Sequence, residues 1–104
     1  MTASDVSLTD LCDLCGLLSD ATRLRIVLLL AKEERNVTGI CEEFKLSQPS
    51  ISHHLGLLRL NGLIVGKRSG KNVIYSLAPH AKSAGGTLKI SLPPYSLTVE
   101  GCKG

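Results

Sequence analysis

Aromatic side chains are almost missing from this chain, which has one Phe, two Tyr and no Trp in 104 residues. Rings at that level cannot build a core, so Leu, Ile and Val must fill it. Stacking of nucleobases on aromatic platforms is excluded as a main binding mode for the same reason. Acids are missing from a long stretch: residues 47–90 hold Arg59, Lys67, Arg68, Lys71, Lys82 and Lys89 but no Asp or Glu. Residues 1–22 lack the opposite sign, with Asp5, Asp10, Asp13 and Asp20 and no Lys or Arg. The net charge of +3 therefore hides a polarised chain, whose later part has the basic character that neutralises phosphates.

Long apolar runs are lacking too. The run over residues 26–31 is far too short to cross a bilayer. Residues 1–7 have no basic stretch leading into an apolar one, as a secretory leader would. A cytoplasmic location with no membrane partner is the expectation. In that compartment Cys12, Cys15, Cys41 and Cys102 are expected as thiols or thiolate ligands rather than disulfides. The length suits one domain, which at this size buries about two-thirds of its unfolded surface, so pairing with a second copy would add core.

The elements that are present follow a definite order. Ser7 with Asp10 resembles a capping box, and Leu8, Leu11, Cys15 and Leu18 then share one face of a first helix. A second helix over 20–32 carries the stripe Leu24, Val27, Leu28 and Ala31, with Arg23 and Arg25 off it. Asn36 caps a short third helix to residue 44, in which Gly39 is a weak point. Ser47 caps a fourth helix over 48–60, where Pro49 is tolerated in the first turn and Asn61-Gly62 signals the stop. Strands at 63–65 and 73–77, separated by a basic, Gly-containing tip, read as a hairpin. Residues 87–92 and 95–100 alternate with period two and read as two further strands.

Two short helices on a tight turn, followed by a basic hairpin, form the layout of a winged helix-turn-helix. The predicted class is thus mainly α with a β-wing, an α+β fold. Residues 1–80 form the DNA-binding domain, and 81–104 form a carboxy-terminal extension of two short strands. On the fourth helix Ile51, Leu55 and Leu58 face inward, which leaves a short, polar, uncharged surface at the amino-terminal end, suited to a major groove. Ser47, Gln48, Ser50, Ser52 and His53 are the side chains expected at base edges or nearby phosphates; Gln pairs bidentately with adenine, and Ser suits several bases. His54 lies nearer the core and is expected to be packed and hydrogen-bonded. Lys67, Arg68 and Lys71 on the hairpin tip, with Arg59 on the helix, are expected at flanking phosphates or in a minor groove.

At these positions the sequence resembles the ArsR/SmtB family of repressors. The resemblance rests on Leu18-Ser19-Asp20-Ala21-Thr22-Arg23-Leu24-Arg25-Ile26, on the Leu46 to Leu55 stretch with Ser47-Gln48-Pro49 and His53-His54, and on Leu58-Arg59, Asn61-Gly62-Leu63-Ile64, Gly70-Lys71 and Tyr75. It covers residues 8–77, with Ala21 where the family usually has proline. It implies a homodimer on a near-palindromic operator, with repression relieved by an inducer, often a soft metal ion. It does not carry over the family's sensing sites. The positions of the third-helix Cys-x-Cys pair are Asn36 and Thr38, with Cys41 alone further on. The final dimer-forming helix that supplies Asp, His and Glu elsewhere is replaced by strand-like sequence with only His80 and Glu100. Those strands are expected either to help close the dimer or to form an extra layer.

The cysteines support three readings. Cys12 and Cys15 are close enough on one helix for both sulfurs to reach one ion, with Cys41 or Cys102 of either subunit as a further ligand for Zn, Cd, Pb or As(III). The same thiols suit an oxidation switch. Alternatively Cys15 is an ordinary core residue beside Leu11 and Leu18. The rival to DNA binding is a winged-helix module that binds protein. An enzyme is not expected, because no phosphate loop, paired catalytic carboxylates or metal-hydrolase spacing occurs.

Overall fold

The computed structural model describes residues 3–101, with side-chain environments from Leu8 onward. Helix α1 (Ala3–Leu18) leads into α2 (Ala21–Lys32), a two-residue strand β1 (Arg35–Asn36), α3 (Val37–Phe44) and α4 (Gln48–Leu60). A hairpin of β2 (Ile64–Ser69) and β3 (Asn72–Leu77) follows, then β4 (Ala81–Ala84), β5 (Thr87–Leu92) and β6 (Tyr95–Glu100). The strands form two antiparallel sheets, of order β1-β3-β2 and β4-β5-β6.

Local chemistry starts three of the helices where the sequence places them. The Asp20 carboxylate accepts the Arg23 N–H at 3.0 Å, Asn36 Oδ1 accepts the Gly39 N–H at 2.8 Å, and Ser47 Oγ accepts the Ser50 N–H at 3.4 Å. Each bond satisfies one of the donors that a helix start leaves free. The Arg23 N–H, with the Arg23 charge behind it, holds the Asp20 carboxyl below the usual carboxylate range against partial desolvation. A carboxyl lowered in this way stabilises the fold above its unfolded pKa, and that contribution is lost as pH falls through its folded value.

Helix α1 departs from expectation in two ways. It begins at Ala3 rather than at Ser7. Its inward side carries Leu14, Leu17 and Leu18, whereas Cys15 is exposed and Leu8 is 47% exposed. The expected face through Leu8, Leu11, Cys15 and Leu18 is rotated because α1 packs against β5 and β6 as well as α2. The reading of Cys15 as a core residue is therefore overturned.

The core runs through the whole fold. Ile26, Val27, Ile40, Ile51, Leu55 and Leu58 from the helices join Leu63, Ile64, Leu88 and Ile90 from the strands in one buried cluster. It contains no aromatic ring, in keeping with the composition, and among the described residues no polar side chain is buried. Each fully buried Leu or Ile is worth about 1.5–3 kcal/mol relative to an exposed one.

Among the described residues the carboxy-terminal region has three strands, not two. β4 was not legible because Ala81-Lys82-Ser83-Ala84 has neither β-branched nor aromatic residues; its pairing with β5, Ala81↔Ile90 to Ala84↔Thr87, supplies what propensity does not. On β5, Leu88 and Ile90 face inward while Lys89 and Ser91 face out.

Candidate nucleic-acid interface

Helices α3 and α4 are joined by Lys45, Leu46 and Ser47, with Lys45 in the left-handed region at φ 56°. Its N–H, like that of Leu46, returns to the Cys41 carbonyl and closes α3. The chain then re-enters a helix at Ser47 with Gln48 and Pro49 in its first turn. Ile51, Leu55 and Leu58 are buried, so α4 is anchored along one side. Ser47, Gln48, Ser52 and His53 are exposed at its amino-terminal end, and Ser50 is half-buried. Free N–H groups at such an end add partial positive charge without a cationic side chain. Arg59 is exposed but sits in the last turn. It is about 16 Å along the axis from Gln48, at 1.5 Å per residue, so it does not join the amino-terminal group.

His54 is half-buried, and its neighbour is a residue that sequence reasoning set aside. Arg23 donates from Nε to the Leu17 carbonyl at 2.8 Å, and its Nη1 lies 3.4 Å from His54 Nδ1. The Asp20 carboxylate is 3.9 Å from the same guanidinium. Arg23 is thus a strut from the end of α1 to the middle of α4. Its side chain is only 17% exposed. The helical period put it off the apolar stripe, and no local signal marked it, because its partners lie on other helices.

The basic hairpin is more ordered than the sequence suggested. Residues 66–69, expected in the tip, continue the ladder, with Lys67 opposite Ile74 and Arg68 opposite Val73. Only Gly70 and Lys71 form the turn, between the paired Ser69 and Asn72. Gly70 has φ 62° while Lys71 has no positive φ, as in a type II′ hairpin. Gly66 faces Tyr75, and an added Cβ would stand 3.1 Å from that ring and 3.0 Å from the Val73 side chain, so a larger residue requires these neighbours to give way slightly. Lys67 and Arg68 are successive strand residues, so they leave the ribbon on opposite faces. Both are exposed, as is Lys71 at the turn, and among the described residues none of the three makes an ion pair. β1 pairs Arg35 with Tyr75 and Asn36 with Ile74, which ties the start of α3 to the base of the hairpin.

The cysteines lie apart from this surface. Cys12 and Cys15 are exposed on α1, and Cys41 is half-buried on α3. Cys102 lies outside the described residues. Among those described, no group of three His, Cys, Asp or Glu side chains is arranged to hold a metal ion.

The arrangement of α3, turn, α4 and hairpin has close counterparts. The family model for the bacterial regulatory protein, arsR family, matches residues 20–65. The arsenical resistance operon repressor of Escherichia coli K12 is 49% identical over 65 residues, which are 62% of this chain and 56% of the relative. The chain spans about half the length of the curated relatives it matches. The crystal structure of the transcriptional repressor BigR from Xylella fastidiosa matches with a TM-score of 0.66 and 30% identity, over 75% of this chain and 82% of that one. A homodimeric winged helix-turn-helix DNA-binding domain from Mycobacterium bovis, solved in solution, matches with a TM-score of 0.69 and 27% identity, over 75% and 72%. With its winged helix-turn-helix fold and this degree of likeness, the chain belongs to the arsR family of bacterial regulatory proteins.

Proposed function

We propose that this chain is a homodimeric transcriptional repressor that holds operator DNA through the start of α4 and the β2–β3 hairpin, and releases it on a chemical signal. The observation that carries the reading is the hairpin, where three exposed cations without acidic partners stand on a rigid ladder. A ribbon with one charge on each face and one at its tip fits between the two phosphate rows of a minor groove. Gln48, Ser52 and His53, with Ser47 and Ser50, then meet base edges or adjacent phosphates in the major groove, and Arg59 reaches a phosphate at the far end of α4. Two copies related by a twofold axis present two such helices about one turn of DNA apart. That the E. coli relative is a repressor, and that the M. bovis domain is a homodimeric DNA-binding domain, supports this reading. Residues 1–80 carry the contacts, and 81–104 act as a supporting part.

DNA selected from a random pool by the pure protein tests the proposal. Affinity for the selected duplex should fall steeply with salt, and sedimentation should give a dimer. Salt-independent binding to a protein partner, with no duplex retained, would support the rival protein-binding module.

The signal proposed is a soft metal ion or metalloid, namely Zn, Cd, Pb or As(III), taken by Cys12 and Cys15. Both thiols are open to solvent and three residues apart on a helix, where neighbouring side chains meet. A third thiolate has to come from Cys102, or from Cys41 or Cys102 of a second subunit. Titration of the wild type with As(III) or Cd should consume free thiols and weaken operator binding, and Cys12→Ser should remove both effects. Release by mild oxidant alone would assign the thiols to redox sensing instead. Unchanged DNA binding under either treatment would clear the cysteines of any sensing role.

A further inference from the structure

Between α1, the end of α4 and β5 lies a cavity of about 310 Å³, within the size range of small-molecule sites. Its floor is apolar, formed by the buried Leu14, Leu17, Leu63 and Ile90. Its polar lining is Asp10, Asp13, His80 and Asn61, with no Lys or Arg. Among the described residues neither carboxylate is in an ion pair.

We infer that this cavity binds a small organic cation with an apolar body, and that its occupancy alters the grip of α4 on DNA. The second half rests on the DNA-binding reading above; the first does not. Asp10 and Asp13 are three apart on α1 and share a face, so their charges add at the mouth. A cation gains attraction there while its apolar part leaves water against the leucines. An anion of the same shape gains the same apolar burial but is repelled by the two carboxylates. A chelated metal is disfavoured, since no three metal-ligating side chains come together among the described residues.

The coupling follows from what the lining residues do. Asn61 caps the end of α4, its amide donating to the Leu57 carbonyl at 2.8 Å. Leu63 lies just before the first strand of the hairpin. An occupant thus touches the junction of both DNA-facing elements. It also bears on α1, whose end is joined through Arg23 to His54. A ligand that binds one setting of α1 more tightly than another shifts the population of that setting.

The probe is cyclohexylmethylammonium, with cyclohexylmethanol and cyclohexanecarboxylate as neutral and anionic controls. Each is titrated into the full chain without DNA and followed by methyl NMR. Shifts are expected at Leu14, Leu17, Leu63 and Ile90, with the ammonium bound about tenfold more tightly than the alcohol. Asp10→Asn combined with Asp13→Asn should abolish that preference while weak alcohol binding remains, which also reports an intact cavity. Equal affinity for ammonium and alcohol, shifts elsewhere, or no shifts would overturn the site. Operator affinity is then measured at constant ionic strength with the ammonium present, and a change of about tenfold is expected. An unchanged affinity would overturn the coupling. If the ligand-free protein binds no DNA at all, the repressor reading fails while cation binding in the cavity still stands or falls on the NMR result.

Discussion

Changing Lys67 and Arg68 together to Glu should weaken binding to duplex DNA by roughly a hundredfold to a thousandfold for each hairpin engaged, while leaving the protein folded. Each change removes an attraction of about 1 kcal/mol and adds a repulsion of similar size. Four such terms approach about 4 kcal/mol per hairpin, and about 1.4 kcal/mol is a factor of ten. The fold should survive because both side chains are exposed and the ladder depends on backbone pairs and on Ile74, Tyr75 and Gly66. Fluorescence anisotropy over a range of salt is the measurement, and the slope of log affinity against log salt should also shrink by about two for each hairpin engaged. Gln48→Ala offers a contrast. It should cost about 1–3 kcal/mol on the preferred sequence and little on random DNA, with the salt slope unchanged. A charge-reversed hairpin that binds as tightly as the wild type, with the same slope, would remove the hairpin from the interface and the DNA reading with it.

Leu88→Ala and Ile90→Ala should each destabilise the protein by about 2–5 kcal/mol, a large share of the roughly 5–15 kcal/mol available to a domain. Both side chains are essentially inaccessible, at 0% and 1% exposure, and they belong to the same cluster as Ile26, Ile51 and Leu58. Urea denaturation should show a lower midpoint with an unchanged slope for each single variant. The two sit on one face of β5 and share neighbours, so the double variant need not show the sum. A loss below about 1 kcal/mol for both would mean that the β4–β6 sheet merely rests on the helical part. The same burial bears on shortening the chain. Ending it near Ala84 removes Leu88 and Ile90 from the core, so a lost dimer in such a variant would report failed folding as readily as a missing interface. Point changes on exposed residues separate the two outcomes.

The helix-turn-helix was legible in the sequence because its signals are short-ranged. Asp20, Asn36 and Ser47 cap helices by bonds to residues only three positions on, and a capping side chain needs nothing beyond its own turn. The buried side of α4 was equally readable, since its apolar residues recur at one helical spacing. The hairpin strands were found, but their extent was not. Residues 66–69 look like loop by composition and join the ladder only because β3 offers them partners.

Helix α1 marks where such reading stops. Leu8, Leu11, Leu14, Cys15, Leu17 and Leu18 cover more than one arc, and periodicity alone cannot say which arc turns inward. The β4–β6 sheet, built from residues far along the chain, makes that choice and leaves Cys12 and Cys15 in solvent. Local chain chemistry alone therefore determined where α2, α3 and α4 begin and which side of α4 is apolar. The contacts of Arg23, the extra strands β1 and β4, the exposure of the thiols and the acidic-mouthed cavity were decided only by tertiary packing, because each depends on groups distant in sequence meeting in space.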